Sequence, residues 1–353
     1  MKKIDFKLYE PKKIADKMLP VFMVIIISCI VSCQNQPWEF DDYDYSSCYF
    51  PYQYPVRTLV LGDYLFDNEN DNNHQFLITG LIGGVYENKT TQFFEYEIDE
   101  SLVKDLKTPN GDPLRVLPSN YYTLDPVNRV TIPKGSLRGQ IRVQLTNDFF
   151  NDPLSVAMNY VIPLKITTAS TDSILCGKTI EANADPRVES DWVVLPMNFT
   201  LFGIKYINIY HGAYLYRGIS VIKDVTNQEI ERIVYRKKQV EDDEVMMLNT
   251  VNMNTIKFTA PVRLSTGSPG NFIAHIEFAG NGNCTIKETE ESAFAVTGTG
   301  KFVENGGKWG GENHHAIFLE YDIQNGGLTH SIKDTLVVRD RNVSIETFAP
   351  VFE

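Results

Sequence analysis

The chain has 353 residues, 43% hydrophobic and 22% charged, with 33 Lys plus Arg against 45 Asp plus Glu and a formal net charge of −12. That length suits about two domains, and the composition excludes a disordered chain, a collagen and a multi-span membrane protein. An acidic surface repels phosphate backbones, which argues against a nucleic-acid partner.

The N-terminus reads as an address. Residues 1–18 carry Lys2, Lys3, Lys7, Lys12, Lys13 and Lys17. The run from Leu19 to Val31 is almost entirely apolar. It is too short for a membrane-spanning helix, which needs about 20 residues, and suits the core of a signal peptide. It ends in Ile30-Val31-Ser32-Cys33, the pattern of a bacterial lipobox. Cleavage before Cys33 would remove six basic and three acidic residues and leave 321 residues with a net charge of −15. Acyl chains on Cys33 would then hold the protein on a lipid membrane. The alternatives are an ordinary secretory cut nearby and an uncleaved anchor. Residues 33–47 read as the lipidated Cys and a polar, acidic tether. The acids begin at Glu39 and resemble the surface-export signal of Bacteroidetes lipoproteins.

From 48 to 190 the sequence predicts a run of short strands. The candidates are Arg57–Gly62, Gln75–Tyr86, Phe93–Ile98, Arg129–Pro133, Gly139–Leu145 and Tyr160–Ile166. Their alternation and spacing suit an immunoglobulin-like β-sandwich. The tyrosine-rich stretch Tyr43–Tyr54 reads as an ordered leading strand rather than a docking arm. A polar break with Pro186 follows, and 191–353 predicts a second domain opening with a strand over Asn198–Tyr210. Further candidates run from Gly212–Ile222 to Ser331–Arg339, with turn signals at Asn281-Gly282 and Asn325-Gly326-Gly327. Many short antiparallel strands suit a closed barrel of lipocalin type or a jelly roll. The fold class is therefore all-β. With Cys29 in the leader and Cys33 acylated, Cys48, Cys176 and Cys284 remain. A Cys48–Cys176 bridge is one option, and buried free thiols are preferred.

Several segments carry a resemblance. They are the Ser32-Cys33 leader end, Gly83-Gly84-Val85-Tyr86-Glu87-Asn88, Ile132-Pro133-Lys134-Gly135-Ser136, Tyr210-His211-Gly212-Ala213-Tyr214 and the closing Asp334–Arg341. Together they resemble the two-domain lipoproteins of Bacteroidetes polysaccharide-utilisation loci, in which a sandwich of unknown function precedes a barrel-like domain. The resemblance implies a non-catalytic, surface-exposed outer-membrane lipoprotein. It would capture a polysaccharide or glycoprotein glycan beside an outer-membrane transporter and that transporter's partner lipoprotein. Similar sandwiches precede secreted chitinase-like glycosidases, whose catalytic barrel has no room in this chain.

A glycosidase needs two opposed carboxylates about 5–10 Å apart. The acidic clusters Asp41-Asp42, Glu241–Glu244 and Glu288–Glu291 read as solvated turns instead. The loop Asp67–Asn73 offers oxygens that calcium would accept but lacks the EF-hand pattern. His314 and His315 are adjacent, so on a strand they face opposite sides and do not chelate together. No metal or cofactor is expected. Sugar binding is the remaining chemistry: an aromatic face packs against pyranose C–H groups while polar neighbours reach the hydroxyls. Trp309, in a Gly-rich segment beside His314, is the first candidate, with capping of the barrel as its alternative. Tyr210, Tyr214 and Tyr216 with Arg217 are the second, the alternative being a core stripe. Trp192 is the third, the alternative being packing at the domain junction. A protein-binding adhesive or structural lipoprotein is the rival reading, and a glycoside hydrolase ranks below both.

Overall fold

The computed structural model describes residues 45–180, 183–261, 271–292 and 294–352. The leader, the proposed acylation site Cys33 and most of the tether lie outside the described residues. Among the described residues no helix is long and apolar enough to cross a membrane.

The first module is a sandwich of β1 (Ser47–Tyr49), β2 (Pro55–Val60), β3 (Gln75–Gly83), β4 (Gln92–Ile98), β5 (Tyr122–Asp125), β6 (Arg129–Ile132), β7 (Arg138–Leu145), β8 (Tyr160–Ala169) and β9 (Phe199–Ile207). One sheet runs Ser173–Ile174, β1, β3, β7, β5, and the other runs Glu346–Thr347, β2, β9, β8, β4, β6. The pattern of β7 explains the layering. Ile141, Val143 and Leu145 are buried while Arg138, Gln140 and Arg142 face solvent, as a period of two dictates. The core between the sheets takes Phe76, Ile78, Ile141 and Val143 from one side and Leu59, Phe94, Ile162 and Tyr206 from the other. Gly80 and Gly139 pair directly across β3 and β7. A Cβ on either would stand within 2.8 Å of the Phe94 ring, so the glycine pair is the seat of that ring.

One expectation is corrected here. The apolar run from Asn198 was expected to open the second domain. Instead β9 lies antiparallel to β8 and parallel to β2, inside the sandwich sheet. Phe199, Leu201, Ile204 and Tyr206 are all buried, and a strand covered on both faces reads as a near-continuous apolar run rather than an alternating one. The boundary expected between 190 and 191 therefore moves past Ile207. The chain also returns to the sandwich at its end. Glu346 and Thr347 pair with β2, and Val351 and Phe352 pair with Leu106 and Lys107.

The second module comprises β10 (Gly212–Lys223), β11 (Glu229–Tyr235), β12 (Glu244–Asn252), β13 (Thr255–Pro261), β14 (Asn271–Phe278), β15 (Asn283–Glu288), β16 (Ala295–Trp309), β17 (Glu312–Asn325) and β18 (Leu328–Asp340). Strands β12 to β18 follow one another in order, and β18 pairs back along β10 from Asp340 to Thr329. This closes an eight-stranded antiparallel barrel and decides against the jelly roll. Only the second half of β10 carries β11 as a further neighbour. The turn glycines behave as expected, with Gly282, Gly326 and Gly327 at φ of 79°, 57° and 86°.

The barrel interior is packed, not hollow. Tyr210 stacks on Phe278 at 3.7 Å, and Tyr214, Phe258, Phe272, Leu336 and Ile276 are fully or almost fully buried. The outer face carries exposed Glu277, Lys287, Lys301, Glu320, Asp322 and Lys333. That is the reverse of a membrane-spanning barrel, whose outer face is apolar. Inside the wall, buried Asp334 accepts hydrogen bonds from the Tyr321 hydroxyl at 2.6 Å and from Tyr235. Burial, followed by the nearby Asp334 carboxylate, pushes both phenols well above their usual range. Gly218 leaves the space that Asp334 and Tyr235 occupy. The thiols Cys48, Cys176 and Cys284 are all free, the first and last buried and Cys176 exposed.

Candidate functional site

The site begins with the loop that leaves β2. Gly62 has φ of 81°, and a Cβ there would stand 2.7 Å from Ile209. Oxygens and amides of the Asp67–Asn73 segment serve this loop. Buried Asp71 pairs with Arg57 and accepts the Val60 N–H at 2.9 Å. Asn72 accepts the Gly62 N–H at 2.8 Å, and Asn68 donates to the carbonyls of Val60 and Gly62 at 2.7 and 2.6 Å. The loop is thereby fixed and projects Tyr64, Leu65 and Phe66. Tyr64 meets Phe66 edge to face at 5.6 Å. Leu65 and Phe66 are 87% and 66% exposed.

Arg341 locks this loop against the barrel. It is 8% exposed. Its guanidinium donates to the carbonyls of His211 (2.8 Å), Leu61 (3.1 Å), Asp63 (2.9 Å) and Asn208 (2.6 Å). Four carbonyls from the sandwich loop and the inter-module connection thus meet one cation at the end of β18. Its planar fork of five donors makes arginine the residue able to do this.

The opposite wall is the long hairpin of β16 and β17. The sequence predicts a Gly-rich loop at Asn305–His314, but the strands continue to Trp309 and resume at Glu312, leaving Gly310 and Gly311 as a two-residue turn at φ of 59° and 87°. Trp309 is half-buried. Its indole N–H donates to the Val338 carbonyl at 3.0 Å, and its ring packs on the outer-face cluster of Leu215, Ala316 and Val337. His314 stacks on Trp309 at 4.4 Å and 14°. The neighbouring His315 accepts the Asn305 N–H through Nδ1 at 3.1 Å, which leaves Nε2 to donate to Asp63 at 3.2 Å.

Between these walls lies a groove of about 690 Å³ lined by Asp63, Tyr64, Leu65, Phe66, His314, His315, Arg339 and Asp340. Arg339 and Asp340 lie 3.8 Å apart, each about half exposed, so neither charge stands alone. The groove combines aromatic and aliphatic surface, to which Ile209, Val338 and Val343 also contribute, with mixed donors and acceptors.

The candidates from the sequence separate clearly. His314 lines the groove, and Trp309 supports it from behind. Tyr210, Tyr214 and Tyr216 do not face a ligand: they are 6%, 0% and 3% exposed and belong to the barrel core. Arg217 is committed to buried Asp243, within the acidic cluster 241–244. Trp192 donates to the Asp185 carbonyl at 2.7 Å and starts a short strand paired with Lys178–Thr179, and it does not line the groove. Glu291 of the other acidic cluster pairs with Lys257. Tyr64, Leu65 and Phe66 line the groove without standing among the sequence candidates. The signal available was the one applied to Trp309, large apolar residues in a segment flanked by Gly62 and by the polar run from Asp67.

The model of the domain of unknown function DUF5627 matches residues 209–342, and a model of an N-terminal domain matches residues 43–173. A Bacteroides ovatus protein of unknown function, known from a crystal structure, is 36% identical. The alignment covers 89% of this chain and 100% of that one, with a TM-score of 0.83. The chain belongs to this family of two-domain Bacteroidetes proteins. A multidomain Bacteroides ovatus protein that includes DUF1735 is 14% identical over 86% of this chain and 100% of that one, with a TM-score of 0.42. No curated protein matches the chain. The region matched by DUF5627 starts one residue after Asn208 and ends one residue after Arg341, so the two residues joined at the junction bracket the barrel.

Proposed function

We propose that this DUF5627 protein is a non-catalytic glycan-binding lipoprotein of the bacterial outer membrane, exposed at the cell surface and acylated at Cys33. It would hold a polysaccharide or glycoprotein glycan near an outer-membrane transporter and that transporter's partner lipoprotein. One observation carries the reading: exposed Phe66 and Leu65, with Tyr64 and His314, line a groove that also carries carboxylate, guanidinium and imidazole groups beside the aliphatic Ile209, Val338 and Val343. Aromatic faces pack on sugar C–H surface, and a balanced set of donors and acceptors suits uncharged hydroxyls.

The test is an affinity-gel and glycan-array screen of the chain from Gln34 onward, with Phe66→Ala beside it. Glycan binding that Phe66→Ala weakens at least tenfold supports the reading. Binding that survives unchanged moves the site elsewhere. A folded protein that binds no glycan favours the protein-docking alternative, for which the exposed Leu65 and Phe66 would be the contact.

A further inference from the structure

A second cleft, of about 520 Å³, lies on the sandwich where three segments meet: Pro51–Tyr54, residues 186–199 and the returning C-terminal arm Thr347–Pro350. Its floor is aromatic. Tyr54 meets Phe199 and Phe348 edge to face at 6.0 and 5.6 Å. Its rim carries Tyr52, 67% exposed, with Gln53 and Glu189 nearby. Its one arginine is occupied. Arg187 forms a bidentate pair with Asp185 and donates to the carbonyls of Leu102 and Lys104 at 3.2 and 2.7 Å. The cleft is held in shape by the Phe348 N–H on the Tyr54 carbonyl at 3.1 Å and by Lys205 on Glu346 at 2.8 Å.

The two clefts lie along one path. Tyr54 lines one and Asp63 lines the other, and β2 runs between them. Its six residues span about 20 Å at the rise of a strand. The arm follows the same path in the opposite direction, antiparallel to β2, with Ser344 lining the groove and Thr347 lining the second cleft. Between them Ile345 is fully exposed. Ile345, Leu65, Tyr52 and Phe66 are four of the seven most exposed large apolar side chains among the described residues, the others being Val225, Val127 and Tyr86. Apolar side chains exposed in such a series along two clefts mark a contact surface.

We infer that the two clefts are subsites for one linear, uncharged polysaccharide, bound along the C-terminal arm through internal units rather than a chain end. This rests on the glycan-binding reading of the groove. The acidic net charge and the Glu189 carboxylate at the rim disfavour a polyanion, because Arg187 is already neutralised. Two linked subsites raise affinity for a chain that spans both, and a chain too short to reach gains nothing.

The experiment is calorimetry on the chain from Gln34 onward, with gluco-, manno- and xylo-oligosaccharides from disaccharide to decasaccharide and polygalacturonate as the anionic comparison. The expected result is affinity at least 100-fold higher for the decasaccharide of the preferred series than for its disaccharide. Tyr52→Ala should cost the decasaccharide about tenfold and leave shorter members that bind the groove unchanged. Ile345→Asp should behave likewise, and both positions are too exposed for folding to depend on them. Affinity that is flat with length, or long-chain binding indifferent to Tyr52→Ala and Ile345→Asp, overturns the two-subsite inference while leaving the groove as a glycan site. Tighter binding of polygalacturonate overturns the uncharged class. Absence of binding across every series overturns the glycan reading and this inference together.

Discussion

Arg341 donates to the backbone carbonyl of Asp63 at 2.9 Å across 278 positions of sequence, and that bond ties the end of the barrel to the loop that forms one wall of the groove. A buried arginine normally seeks a carboxylate. Here four backbone carbonyls solvate it, and burial draws its pKa below the ordinary arginine value. The arrangement ties the two modules together, since Arg341 follows the last barrel strand and the carbonyls it satisfies belong to the sandwich loop and the connection between the modules.

Replacing Arg341 by Met should therefore do more than remove a charge. The carbonyls of Leu61, Asp63 and His211 would lose the arginine donor, at about 1–3 kcal/mol for each one left dry, while Asn208 would keep the His211 N–H at 3.2 Å. We expect a loss of at least about 3 kcal/mol and separation of one thermal transition into two, read by calorimetry. A single transition at unchanged temperature would show that the junction does not depend on this residue.

His211 predicts a pH dependence. Its Nδ1 accepts the Thr250 N–H at 3.1 Å, and burial, then nearby Arg341 and Lys205, lower its pKa to about 4. The unfolded chain takes up this proton near 6.5, before the folded one does. Stability should fall as pH drops from about 6.5 to about 4, by up to about 3 kcal/mol. Above that window this group contributes no pH dependence. His211→Asn keeps an acceptor for Thr250 without the titration. Denaturant midpoints for both proteins between pH 7.5 and 4 should diverge in favour of the variant as the solution is acidified.

Trp309 should matter first for packing. Trp309→Ala uncovers Leu215, Ala316 and Val337 and removes the stacking surface of His314. For a half-buried indole we expect a loss of about 2–3 kcal/mol, below the range for fully buried aromatics. Trp309→Phe should keep the coverage and lose about 1 kcal/mol with the hydrogen bond to Val338. Equal losses for the two variants would contradict a packing role.

The Asp334 cluster is the most sensitive point in the barrel. Tyr235→Phe withdraws a donor from a buried carboxylate and should cost about 2–3 kcal/mol. Gly218→Ala drives a methyl group into Asp334 and should cost more, since backbone and two side chains would all have to move. Urea unfolding of the two variants should rank them in that order.

Thiol labelling gives a simple check on the cysteines. In the chain from Gln34 onward, Cys176 should react with a maleimide within minutes under native conditions. Cys48 and Cys284, whose thiols burial pushes up to about 12, should react only on unfolding. Fewer than three equivalents after unfolding without reductant would reveal a disulfide.

Local pattern determined much of this protein. Alternation along Gly139–Leu145 and the Asn281-Gly282 and Asn325–Gly327 turns placed strands and hairpins, because side-chain period and positive φ are properties of a few neighbouring residues. Tertiary structure decided which strands share a sheet. Phe199–Ile207 is apolar enough to sit in either module, and only its pairing with β8 and β2 assigns it to the sandwich. The same holds for the site. A tyrosine stripe and an exposed aromatic look alike in one dimension, so Tyr214 became barrel core while Phe66, unremarked in its loop, became groove wall. What separates them is closure of the barrel and the reach of Arg341 across the junction, both set by contacts between residues more than a hundred positions apart that no local pattern encodes.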